Sequence, residues 1–112
     1  MNKTEYAETI RQAIQDERER REYQVRVEKV HVAGSICGVR LPRDLEAYVA
    51  TTVCTVEHDD GIACVWCDCA FLINGKWRVV LENDFYRNGM RMEESVKQIL
   101  KEMSREMKEQ AG

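Results

Sequence analysis

The chain has 112 residues, of which 44% are hydrophobic and 33% are charged, with one proline and six glycines. This length predicts a single domain over residues 1–112 and leaves no room for a second hydrophobic core. The 17 basic and 20 acidic residues are interspersed and give a net charge of −3, which makes nucleic acid an unfavourable partner. The sequence has no apolar run of about 18 residues and no apolar leader, so we expect a cytoplasmic protein without a membrane span.

A helix is predicted at the start of the chain, over residues 2–22. Tyr6, Ile10 and Ile14 recur at the spacing that lines one helical face. Residues 16–22 mix acidic and basic side chains at spacings that stabilise an exposed helix surface. We interpret that charged run as a solvated face.

β-Branched residues then replace the helical pattern and predict a first strand over residues 23–33. The apolar positions change parity between Val27 and Val30, which indicates a β-bulge or the edge of a sheet. Residues 34–46 contain two glycines and the proline and are predicted to form a loop.

Two hairpins in tandem are the clearest pattern in the chain. Strand-like runs cover residues 48–59, 62–73 and 76–83, and they are separated by Asp60-Gly61 and Asn74-Gly75. Both dipeptides favour type I′ turns because their residues tolerate positive φ. The sequence therefore predicts a three-stranded meander.

The two turns also predict a register. A two-residue loop at the first turn places Cys54 opposite Cys67, and one at the second turn places Leu72 opposite Trp77. One face of the sheet then collects the apolar side chains that we expect to form the core. These are Val49, Val53, Cys64, Trp66, Ala70, Leu72, Trp77, Val79 and Leu81.

A second helix is predicted over residues 92–110, where an apolar stripe lies opposite a charged face. The resulting order of elements is α-β-β-β-β-α. We expect an α+β domain in which the N- and C-terminal helices pack on one face of a four-stranded antiparallel sheet, the face with both tryptophans.

The chain has five cysteines, and this odd number is typical of reduced thiols in an intracellular protein. In the predicted register Cys54, Cys67 and Cys69 share a face, whereas Cys64 lies on the other. These three thiols define one alternative function, a zinc-binding structural or redox protein. Buried cysteines that pack as small hydrophobic residues are the simpler interpretation, and with it we expect no cofactor.

Cys37 lies in a loop between Gly34 and Gly38 and defines a second alternative, a cysteine-dependent enzyme. Such an enzyme needs a base beside the thiol, and His31 is the nearest histidine along the chain. The spacing of these two residues matches no nucleophile signature, so we expect a protein that is not an enzyme.

The sheet face opposite the tryptophans is predicted to be only half polar, with an apolar strip of the kind that marks an interface. We therefore expect a small intracellular protein–protein interaction module, either a homodimer or an inhibitor or accessory factor that binds another protein. The residues expected to contact the partner are Val56, Phe71, Ile73, Arg78, Glu82 and Arg87.

In size and acidity the chain resembles the small accessory and inhibitor proteins of phages and mobile elements. The resemblance lies in the profile of the whole chain and not in a motif. It implies an accessory or inhibitory role.

Overall fold

The structure is a computed structural model that describes residues 3–20, 25–55 and 61–111. Helix α1 spans Lys3–Glu19 and helix α2 spans Met92–Ala111, close to the bounds that the apolar spacing predicts. Six strands and one turn of 3-10 helix lie between the two helices in the described part of the chain. Their bounds are β1 Val25–Val32, β2 Ser35–Ile36, β3 Val39–Arg40, β4 Glu46–Thr55, β5 Ile62–Ile73, β6 Lys76–Val80 and the 3-10 turn Glu82–Phe85.

Four strands form one antiparallel sheet in the order β1-β4-β5-β6, which confirms the predicted α+β class with a four-stranded antiparallel sheet. Strand β1 lies at one edge, and its pairing with β4 is irregular between Glu28 and His31, where Lys29 has a φ of 44°. This irregularity confirms the bulge that the parity change predicts.

Strands β2 and β3 form a separate small hairpin within the segment predicted to be a loop. Cys37 and Gly38 have φ values of 50° and 80°, and positive φ at both central residues is the mark of a type I′ turn. The sequence does not reveal this hairpin, because its strands are two residues long and too short for an alternating pattern.

The β5–β6 hairpin has the predicted register, with Leu72 opposite Trp77. Its turn residues Asn74 and Gly75 have φ values of 51° and 81°, as a type I′ turn requires. This local prediction succeeded because the dipeptide in the turn determines the loop length, and the loop length sets the register.

The predicted register between β4 and β5 is wrong. Cys54 lies opposite Cys64 rather than Cys67, a difference of three residues. The described pairing ends at Thr55 and Ile62 and is irregular between Cys54 and Thr55, and Asp60 of the predicted turn lies outside the described residues. Because the shift is odd, every β4 side chain lies on the face opposite to the predicted one.

The two helices pack on opposite faces of the sheet, which corrects the prediction that both pack on one face. Alternation along β5 sends Ala70 and Phe71 to opposite sides, and both side chains are fully buried. The core beneath α1 consists of Ile10, Ile14, Val27, Tyr48, Ala50, Ala70 and Leu81. The core beneath α2 includes Phe71, Ile73, Phe85, Val96, Ile99, Leu100 and Met103. A strand with apolar residues at both parities needs cover on both faces, and one helix supplies each cover.

Trp66 and Trp77 both lie on the α1 face, as predicted. The ring of Trp77 packs edge-to-face against Tyr6 at 5.8 Å and Tyr48 at 5.5 Å between centroids. The guanidinium of Arg18 lies 4.0 Å from the ring centre of Trp66. This face is therefore an aromatic layer that holds α1 on the sheet.

Candidate functional site: an unpaired strand edge

The apolar strip that was predicted to meet a partner is covered. Phe71 and Ile73 are buried beneath α2, with Phe71 at 0% exposure. This corrects the prediction that these two side chains are available to a partner, and the reason is the placement of α2 on this face. Val56, from the same predicted set, lies outside the described residues.

The charged members of the predicted set lie beside α2. Arg78 forms an ion pair with Glu106 at 2.8 Å, and Arg87 forms one with Glu102 at the same distance. Glu82 is the first residue of the 3-10 turn, and its side chain is half-buried. These contacts attach the β6 end of the sheet to α2, and a contact of these residues with a partner stays a prediction.

The three thiols proposed for zinc do not share a face. Cys54 lies on the α1 side of the sheet, whereas Cys67 and Cys69 lie on the α2 side, because the β4–β5 register differs from the prediction by an odd number. Among the described residues, no group of three or more cysteine, histidine or acidic side chains is arranged to hold a metal ion.

Cys37 joins Cys67 and Cys69 at a small cavity of about 130 Å³ between the β2–β3 hairpin and the sheet. Burial and the nearby Glu82 carboxylate raise the pKa of the Cys37 and Cys67 thiols. Burial raises the pKa of Cys69 most strongly. Because the reactive species is the thiolate, these surroundings are the opposite of those of a catalytic cysteine.

Strand β5 is paired on both sides along only about a third of its length. Strand β4 pairs with it from Ile62 to Leu72, whereas β6 pairs with it only from Cys69 to Ile73. Within the described ranges, no strand pairs with residues 62–68 on the β6 side. Such an edge carries backbone N–H and C=O groups without a ladder partner.

The pairing pattern identifies the groups on this open edge. Ile73 and Lys76 flank a two-residue turn and form a hydrogen-bonded pair, so the odd-numbered residues of β5 direct their N–H and C=O toward β6. Cys69 is the last of them that lies opposite β6. Val65 and Cys67 have the same parity and therefore present their N–H and C=O to the open side.

The side chains of this edge are apolar and accessible. Ile62 is 60% exposed and Val65 is 56% exposed, and the thiols of Cys64 and Cys67 are exposed as well. Residues 62–67 contain no charged residue and no proline. Proteins usually protect an exposed edge with lysine, proline or a covering element, and this edge lacks the first two.

Asp68 explains why pairing with β6 stops. If the β5–β6 register continued, Glu82 would lie opposite Cys67 and its N–H would reach the Cys67 carbonyl. The Glu82 N–H instead donates to Oδ1 of Asp68 at 2.9 Å, and the chain enters the 3-10 turn. The carboxylate thus accepts the hydrogen bond that the Glu82 N–H would otherwise donate to the Cys67 carbonyl. The β6 side of β5 is therefore open from Cys67 toward Ile62.

Arg18 holds this carboxylate in place. It donates two hydrogen bonds to Asp68, at 2.8 Å and 2.7 Å, and the Thr52 hydroxyl donates a third at 2.6 Å. Arg18 and Asp68 are 1% and 0% exposed. This ion pair joins α1 to β5 and corrects the interpretation of residues 16–22 as a solvated face.

A sequence signal for this pair does exist. Asp68 is the one charged residue within the apolar run 62–73, and a buried carboxylate needs a cation or several donors. The run does not show which of the 17 basic residues supplies the cation, because Arg18 lies 50 positions away.

Comparison of the chain with protein-family models, curated proteins and solved structures finds no match. No helix in the described part of the chain is both long and apolar enough to cross a bilayer. The function proposed below therefore rests on the geometry of the β5 edge.

Proposed function

We propose that this protein is a small interaction module that binds an extended polypeptide segment along the open edge of β5. The observation that carries the proposal is the unpaired, uncharged edge at residues 62–67, where Val65 and Cys67 direct their backbone groups outward. An edge of this kind binds by strand addition, in which an extended segment becomes the next strand of the sheet.

Main-chain hydrogen bonds would supply part of the affinity. Each bond to the N–H or C=O of Val65 or Cys67 contributes about 0.5–1.5 kcal/mol net. Side chains of the bound segment would alternate between two environments, one beside Val65 and Cys67 and the other beside Trp66. The exposed apolar surface favours segments with β-branched or aromatic residues at alternate positions.

The edge is held in its binding geometry before the partner arrives. Strand β4 pairs with its inner side, and the buried ion pair of Arg18 and Asp68 sets the point at which β6 leaves. Because the backbone is already ordered, little conformational entropy is lost from this side of the complex.

An inhibitory or accessory role suits such a module, because binding an extended segment prevents that segment from pairing elsewhere and requires no chemistry from the module. The proposed setting is the cytoplasm, where glutathione and thioredoxin keep exposed thiols such as Cys64 and Cys67 reduced.

Replacing Val65 with proline tests the proposal directly. The outward N–H disappears, while the β4–β5 ladder is preserved because Val65 directs no backbone donor toward β4. Heptapeptides selected from a random library on immobilised wild-type protein should bind Val65→Pro at least about tenfold more weakly, since main-chain hydrogen bonds and the fit of the added strand are lost.

Val65→Thr is the matched control, since it keeps the backbone donor, the β-branch and nearly the same shape. The selected peptides should bind this variant about as well as the wild type. Equal binding of the selected peptides to the proline variant, with an unchanged circular dichroism spectrum, would show that the β5 edge is not the binding site.

A further inference from the structure

We infer that the segment that binds to the β5 edge is β5 of a second copy of this chain, paired antiparallel about a two-fold axis. This inference rests on the proposed function and names the partner of the same edge. It follows from the length of the open window, the direction of the backbone groups and the absence of charge along the edge.

The window determines the register. No strand in the described part of the chain pairs with residues 62–68 on the β6 side, and Val65 is the middle residue of this window. Because Val65 presents its N–H and C=O outward, two copies related by a two-fold axis at this residue form a hydrogen-bonded Val65–Val65 pair. Cys67 of each copy then lies opposite residue 63 of the other, at the irregularity in the β4–β5 pairing.

Other registers fit the window less well. A two-fold axis at Trp66 would place residue 63 of the second copy opposite Cys69, a position that Val80 of β6 already occupies. An axis at Cys67 would extend this overlap further along β6. The pairing about Val65 is the one that uses the whole free window without displacing β6.

The side chains that meet in this register are compatible with each other. The two Val65 side chains lie together on the α2 side, and Trp66 lies opposite Cys64 of the second copy on the α1 side. Residues 62–67 carry no charge, so the two-fold axis brings no pair of like charges together. A self-complementary surface of this kind is what a two-fold dimer requires.

The dimer also closes the edge. Two-fold pairing covers the open edge of each copy with that of the other and therefore leads to a closed particle rather than a growing fibre. The outer strands that remain are β6, which is five residues long, and β1, which is interrupted by its bulge at Lys29. Short and bulged edge strands resist further pairing.

The contact is a single strand pair with few flanking side chains, so it belongs with small, weak interfaces. We therefore expect a monomer–dimer equilibrium that responds to protein concentration, and not an obligate dimer. Sedimentation velocity over about two decades of concentration, in the presence of a reductant, should show the average mass rise toward twice that of the monomer.

Charge substitutions at Val65 test the register. Val65→Lys and Val65→Glu each place two like charges opposite one another at the two-fold axis, and each should weaken self-association by about a hundredfold. An equimolar mixture of the two variants places lysine opposite glutamate and should recover the dimer. Val65→Thr, which keeps size and neutrality, should dimerise like the wild type.

A second measurement does not depend on variants. Amide hydrogen exchange of the wild type should slow at Val65 and Cys67 as concentration rises, while exchange at Phe71 and Ile73, already paired with β6, stays unchanged.

Three results would overturn the inference: a monomer at every concentration, a dimer that survives both charge variants, or a mixture that does not associate. If the protein is monomeric but still binds the selected peptides through Val65, the second copy is the wrong occupant and the proposed function stands. If the wild-type protein neither self-associates nor binds peptides through Val65, both the inference and the proposed function are wrong.

Discussion

The two halves of strand β5 have similar composition but opposite environments. From Cys69 to Ile73 the strand is paired with β4 and β6 and lies between the two helices, with Phe71 fully buried. From Ile62 to Cys67 the strand has only β4 beside it among the described residues, and the side chains of Ile62, Cys64, Val65 and Cys67 are exposed. The apolar residues of one half therefore form the core, whereas those of the other are available for binding.

Asp68 separates these two environments. It is bound by Arg18 and Thr52, and it accepts the N–H of Glu82 that would otherwise continue the ladder with β6. One buried carboxylate thus decides where the core half of the strand ends and where the open half begins. A run of apolar residues, such as that of β5, is therefore not evidence of burial until the neighbouring strands are known.

The largest effect is expected at the centre of the buried half. Phe71→Ala removes a fully buried aromatic ring beneath α2 and should lower the free energy of unfolding by about 4 kcal/mol, because the cavity cannot close completely. Val65→Ala, in the open half of the same strand, should change it by less than about 0.5 kcal/mol. Urea unfolding followed by tryptophan fluorescence would measure both, and similar losses for the two variants would contradict the contrast.

A somewhat smaller loss is expected at the boundary residue. Asp68→Asn keeps one side-chain oxygen, which can accept from the Glu82 N–H or from the Thr52 hydroxyl but not from both, because these donate to different carboxylate oxygens. It also leaves the buried Arg18 without its counter-charge, and the loss should be about 3 kcal/mol. The exposed pair of Arg26 and Glu28 supplies the control. Glu28→Gln should cost about 0–1 kcal/mol, since exposed ion pairs contribute little.

The double variant Arg18→Met with Asp68→Asn separates the charge from the hydrogen bonds. Removing both charges should recover part of the loss, because the uncompensated cation is gone. If the double variant is as unstable as Asp68→Asn alone, the cost comes from the hydrogen-bond network and not from the buried charge.

The smallest predicted effect concerns pH. Burial raises the pKa of the Cys69 thiol above its ordinary value of 9.0, so the unfolded chain loses this proton at a lower pH than the folded chain does. The stabilisation is complete below pH 9 and is lost as the pH rises, with a slope of up to about 1.4 kcal/mol per pH unit for this thiol. Unfolding curves between about pH 8 and pH 10 should show this decrease, and Cys69→Ala should make it shallower.

An unchanged slope in the alanine variant would show that Cys69 does not ionise on unfolding in this range. Tyr48 contributes separately at higher pH, because burial and its hydrogen bond to Glu46 raise the pKa of its hydroxyl to about 12. Its contribution begins near the ordinary tyrosine pKa of 10.0 and is the same in the wild type and in Cys69→Ala, so the difference between the two slopes isolates Cys69.

The candidate site was predictable in part. The apolar, uncharged character of residues 62–67 follows from the sequence pattern alone. The location of the free surface does not, since Phe71 and Ile73 have the same pattern and are buried. Cys37 lines the same cavity as Cys67 and Cys69 because the β2–β3 hairpin places it there. Strands of two residues are too short for the sequence pattern to predict that hairpin.

The sequence by itself determined the two helices, the four long strands and the β5–β6 turn, because helical spacing, alternation and the positive φ of Asn74 and Gly75 are local properties. The tertiary structure decided the β4–β5 register, the faces that the two helices cover and the burial of Arg18. These depend on contacts between residues far apart in the chain, and local preferences carry no information about which distant partner is chosen.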